Sequence, residues 1–92
     1  MTMLITNGTS DYNGSGTPEV ATGAIIVTFS GTKGKRSPVL TMYSRSDSAA
    51  FAPIYQIDKF RRFKVNLANA DEYYFKVTIP SDTVVDLAVT NT

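Results

Sequence analysis

Eight consecutive residues, Ser30-Gly-Thr-Lys-Gly-Lys-Arg-Ser37, bring three cations, two glycines and several hydroxyls into one short stretch. Gly-Lys followed by a hydroxyl is the second half of a phosphate-binding loop, whose backbone amides cradle phosphate at a helix N-terminus. The spacing does not complete that loop. Phe29 stands where its first glycine belongs, Arg36 replaces the hydroxyl, and the residues that follow are strand-like. The stretch therefore reads as a cationic hairpin loop, with Lys33, Lys35 and Arg36 offered to an acidic partner surface.

Lys59-Phe-Arg-Arg-Phe-Lys64 interleaves cations with aromatics, the pattern that stacks bases and holds phosphates on single strands. On a strand, Phe63 points inward with Val65, while Arg62 and Lys64 share the outer face and only Phe60 could join them. One ring is a thin platform, so the stretch reads as a basic outer face. Arg61, Arg62 and Lys64 form a second candidate contact surface, salt-bridged to a subunit or to the acidic residues 70–72 and Asp86.

The carboxylates Asp47, Asp58, Asp71, Glu72 and Asp82 fall in turns or at strand ends, where Asp caps the backbone for local reasons. None forms the paired acids of a glycosidase or the clustered oxygens of a calcium loop. Tyr55 and Tyr74 could form a small sugar-binding platform, although cross-strand packing is the commoner use of tyrosine. Two Asn-Gly-Thr/Ser matches at Asn7 and Asn13 lie in a Gly/Ser/Thr-rich stretch and read as chance. The chain has no cysteine and no histidine. Thiolate metal sites and disulfides are thereby excluded, as is the usual general base. No cofactor is expected.

These groups must be positioned by strands. Ala24–Phe29 and Val39–Arg45 are β-branched and aromatic, and Phe51–Ile57 is a third strand whose Pro53 places it at an edge or bulge. Phe63, Val65 and Leu67, then Tyr73, Phe75, Val77 and Ile79, then Val85, Leu87 and Val89 alternate with polar residues, which buries one face. Short connectors at 68–71 and 80–82 suggest an antiparallel meander of these last three strands. With Ile25, Val27, Phe29, Leu40 and Met42, the alternating set makes a predicted core. No segment carries a helical period. The expectation is an all-β chain, a small antiparallel β-sandwich or flattened barrel of about six or seven strands.

Residues 1–22 read as a separate N-terminal arm. Residues 7–18 are polar and rich in Gly, Ser, Thr and Asn, too polar to offset chain entropy by burial. A short strand near residues 2–6 would pair with a neighbouring molecule. Met3, Leu4, Ile5 and Tyr12 are accordingly assigned to partner binding. The β-sandwich domain would span residues 23–92. No basic leader with an apolar run opens the chain and no run is long enough for a membrane span. Charge is uneven: residues 24–67 carry eight cations against Asp47 and Asp58, between acidic flanks, for a net charge of +1. That balance suits pairing of like copies or an acidic partner, and falls short of a nucleic-acid-binding composition.

The succession of "GAIIVTFSG", "VLTMYSRSDSAAF", "VNLANADEYYFKVTIPSD" and "VVDLAVTNT" resembles short β-sandwich proteins encoded among the virion-structure genes of tailed bacteriophages. Tyr73-Tyr-Phe-Lys-Val77 occupies the place of a "YRV"-like motif in that pattern. The resemblance covers residues 23–92 and omits both the arm and the Lys33–Arg36 cluster. It implies a non-enzymatic virion protein, a capsid decoration or cement component or a head- or tail-associated accessory. Such a protein would be located in the virion, bound to a major capsid or other virion protein as an oligomer or as lattice-bound copies, with no membrane partner. A carbohydrate-binding module and a small β-barrel nucleic-acid binder are the alternatives carried by the residues themselves.

Overall fold

A computed structural model describes all residues, Met1–Thr92. The chain is all-β, with a four-stranded and a five-stranded antiparallel sheet. The strands are β1 (Thr2–Gly8), β2 (Tyr12–Asn13), β3 (Glu19–Val20), β4 (Ile25–Thr32), β5 (Val39–Arg45), β6 (Ala52–Ile57), β7 (Arg61–Val65), β8 (Glu72–Thr78) and β9 (Val84–Asn91). No helix is long and apolar enough to cross a membrane.

The first sheet runs β1-β9-β4-β7 and the second β2-β8-β5-β6, with β3 also on β8. Alternation along each strand supplies the core between them. Ile25, Val27 and Phe29 of β4, with Val85 and Leu87 of β9 on the same sheet, face Leu40 and Met42 of β5 and Phe75 and Val77 of β8, all essentially without solvent exposure. Burying one such side chain contributes about 1.5–3 kcal/mol. All fifteen residues of the predicted core lie in this cluster, and Ile5 joins them.

Three expectations about connectivity are corrected. The N-terminal segment is built into its own sandwich. β1 pairs with β9 of its own body, placing Ile5 opposite Leu87, and β2 and β3 pair with β8. Ile5, which follows Met3 and Leu4, finds more burial in its own sandwich than it would in solvent. The last three strands are not a meander either. β7 and β9 both flank β4 in one sheet, while β8 lies in the other. Each connection crosses between layers, so alternation set the buried face of each strand without setting its partner. For the same reason Gly31–Ser37 does not close a hairpin, because β4 and β5 belong to different sheets.

Pro53 lies on β6, at the free edge of the second sheet, where a register shift between Met42 and Tyr43 of β5 accommodates it. A proline lacks the donor that a central strand would need. Tyr55 opposes Met42 on the inner face and stacks on Phe63 of β7, with ring centroids 4.6 Å apart and 7° between planes. This stack closes the β6–β7 side of the sandwich.

Candidate interaction surface

The registers carry the two cationic stretches to the same end of the molecule. β4 runs from Ile25, opposite Val65, to Phe29, opposite Arg61. The loop after Thr32 therefore starts beside the start of β7. Phe60 fills the junction, with its ring 5.1 Å from Phe29 and edge-on to it. A β-carbon added to Gly31 would lie 3.1 Å from the Phe60 ring. Lys33, Lys35 and Arg36 thus share one end of the sandwich with Lys59 and Arg61, and all five are exposed. Arg62 and Lys64 continue from them along the outer face of β7, opposite Thr28 and Ile26.

The loop is held in place by Thr83, which is only 2% exposed. Its hydroxyl accepts a hydrogen bond from the Gly34 amide at 3.1 Å and is 3.5 Å from the Arg36 carbonyl, to which it donates. Gly34 is packed so closely on the β8–β9 turn that a β-carbon there would lie 2.6 Å from the Asp82 carbonyl oxygen. Asp82 takes a left-handed conformation (φ 65°), one of the few residue types that does so readily. The loop is therefore a docked platform. Thr83 carries no local sequence signal for this role, since its partners lie nearly fifty residues earlier in the chain.

None of these cations is within ion-pair distance of a carboxylate. The single salt bridge, Arg45 to Glu72, lies at the opposite end, where Arg45 Nε donates to Glu72 at 2.9 Å and its guanidinium lies 4.5 Å above the Phe51 ring. Glu19, Asp47 and Asp71 are at that end too, through the pairing of Glu19 with Tyr73 and the bond from the Asp47 amide to the Asp71 carboxylate. The strands, about 26 Å long for eight residues, run from these acids to the other end of a body 39 Å in its longest dimension, where Asp58 and Asp82 lie beside the five cations.

The acids expected beside the β7 cations are elsewhere. Asp86 opposes Ser30, and its carboxylate accepts the Asn7 amide at 2.9 Å. Asp11 accepts the Ile79 amide at 2.8 Å, and Asp71 accepts that of Asp47. These carboxylates satisfy backbone donors, as turn and strand-end acids commonly do. No group of three or more potential metal-ligating side chains comes together.

The N-terminal candidates separate. Ile5 is in the core, Leu4 and Tyr12 are partly buried against it, and Met3 alone of the four stays exposed. Burial raises the pKa of the Tyr12 hydroxyl, with the nearby Glu19 carboxylate adding to it; the same two causes push Tyr73 up to about 12. Tyr55 and Tyr74 do not form a platform, because Tyr55 faces the core side. Tyr74 instead stacks on Tyr43 at 4.7 Å on the outer face, with Phe51 edge-on at 4.8 Å. Phe60 is turned onto Phe29, so no ring stands among the outward cations of β7. The largest depression, about 670 Å³, lies away from the cationic end between residues 44–54 and 65–70; five of its thirteen lining residues are alanine, and Arg45 is its one charged side chain.

Compared with protein-family models, curated proteins and solved structures, the chain gives no match.

Proposed function

We propose that the chain is a non-enzymatic structural protein of a virus particle, a decoration or cement component or a head- or tail-associated accessory. It would bind an acidic surface of a shell protein through its cationic end. The observation that carries this reading is the gathering of Lys33, Lys35, Arg36, Lys59 and Arg61 at one end with no internal carboxylate paired to any of them. A set of like charges held together by a docked loop stores repulsion that an acidic partner relieves. The strand-and-turn resemblance to phage virion β-sandwiches supports the kind of partner. Phe60, packed inward, favours a protein partner over base stacking on a nucleic acid.

The test is to purify particles made in cells that express the chain and ask whether it travels with them through a density gradient. The wild type is expected to co-sediment at moderate salt and to be stripped near about 1 M salt, where screening acts over roughly 3 Å. A variant with Lys33→Glu, Lys35→Glu and Arg36→Glu is expected to be absent from the particles. Absence of the wild-type chain from them overturns the reading. A second reading, carbohydrate binding, has a specific observation in the Tyr43–Tyr74 pair on the outer face. Binding on a glycan array that is lost in Tyr74→Ala would support it.

A further inference from the structure

We infer that β1 is a self-association edge, through which two copies join their four-stranded sheets into one continuous eight-stranded sheet. This inference does not depend on the proposed function. The sandwich has four free edges: β1 and β7 in one sheet, β6 and the broken β2–β3 line in the other. Three of them are blocked against a second copy by their own residues. β7 carries Arg61, Arg62 and Lys64, so two-fold pairing would set like cations opposite one another, which is destabilising. β6 contains Pro53, which lacks a donor. The β2–β3 edge is two pieces of two residues each, separated by residues 14–18.

β1 has none of these devices. Its seven residues, Thr2–Gly8, include no charge and no proline. Bulges can blunt an edge, and β1 is irregular against β9 at two places, but the side chains next to it are the reverse of protective. Met1, Met3 and Val20 are 86%, 47% and 71% exposed and all belong to this side of the sandwich, leaving Ile54 as the one other large exposed aliphatic side chain. Met1, Leu4 and Val20 line a small depression between the start of β1 and β3, together with Glu19, Thr2, Thr22 and Asn91. Met3 opposes Ala88 on the outer face of the sheet. An exposed, uncharged edge rimmed by apolar side chains is what strand addition uses.

Charge selects a second copy as the occupant. A two-fold axis at β1 places identical uncharged strands side by side, an isologous contact that closes on itself. It also carries the two cationic β7 edges to the far sides of the joined sheet. Seven strand spacings separate them, roughly 34 Å, several screening lengths at ordinary ionic strength. The contact therefore adds main-chain hydrogen bonds and covers three exposed apolar side chains without bringing like charges together.

Sedimentation equilibrium and cross-linking test this. The wild type is expected to weigh about twice its 10.0 kDa chain mass at high micromolar concentration. Met3→Lys should weaken the dimer at least tenfold, while Arg62→Glu on β7 leaves it unchanged, with circular dichroism confirming that both variants fold. Because the chain has no cysteine, Met3→Cys introduces a unique thiol, which a short bismaleimide should link into covalent dimers. Lys64→Cys should remain unlinked. A wild type that stays monomeric, a dimer indifferent to Met3→Lys, or preferential linking through Lys64→Cys would each overturn the inference.

Discussion

At Thr83, one buried hydroxyl fixes the position of a loop whose charges sit at the proposed contact surface. Thr83→Val keeps the shape and removes the acceptor for the Gly34 amide. An unpaired amide in a part-buried site costs about 1–2 kcal/mol, so urea unfolding should show a loss of that size and the Gly34 amide should exchange faster with solvent. Gly31 is less forgiving. Its φ of +148° disfavours a side chain, and a β-carbon there would lie 2.0 Å from the Val84 carbonyl oxygen. Gly31→Ala should therefore destabilise by about 2–4 kcal/mol, at the upper end of single-site effects, read as a lower urea midpoint. Glu72→Gln provides the contrast. It breaks the only salt bridge, yet both partners are about one-third exposed, and such pairs are worth at most about 1 kcal/mol. A small shift in midpoint that shrinks further in high salt is expected.

Strand β8 is the central element of its sheet and carries the clearest pH dependence. Tyr73 on β8 has its pKa pushed up to about 12, first by burial and then by Glu19 on β3. An unfolded tyrosine titrates near 10. Between those values the folded chain holds a proton that the unfolded chain releases, so stability is fully present below about pH 10 and falls as pH rises through about 12. Two pH units correspond to roughly 2–3 kcal/mol. Tyr73→Phe, which keeps the ring packed edge-on against Phe75, should make the stability profile flatter across that window. The elements themselves were legible in the sequence. Period-two alternation from Phe63 onward marks the inner face of β7, β8 and β9, and every predicted core residue is buried. Their pairing was not legible, since a strand's hydrogen-bond partner depends on residues far away in the chain, and nothing within residues 63–89 distinguishes a meander from strands that alternate between layers. Ile5 was assigned to a partner contact because nothing near it in the sequence shows that its short strand pairs with β9 of the same chain.

Across the whole molecule, the fold gathers five cations at one end, beside Asp58 and Asp82, where the sequence shows only a basic middle. Lys33–Arg36 and Lys59–Arg61 were each visible as cationic stretches, but their meeting requires the register of β4 with β7. Composition could not reveal it. Because these side chains are exposed and unpaired, reversing Lys33, Lys35 and Arg36 together should change folding stability by no more than about 0.5 kcal/mol per site while abolishing particle association. Differential scanning calorimetry and gradient sedimentation of the same preparation separate the two effects. The position of β9 has a consequence for synthesis. It lies between β1 and β4, so residues 84–91, more than seventy positions after β1 in the sequence, form an inner strand of their sheet. Until they leave the ribosome, β1 has no partner and β4 has only β7. The nascent chain must hold β1 unpaired while residues 9–83 are made, and the four-stranded sheet can close only after residues 84–91 emerge. Such non-local pairing is slow, on the order of milliseconds to seconds, and during that interval the apolar β1 edge is the segment most in need of protection from other nascent chains.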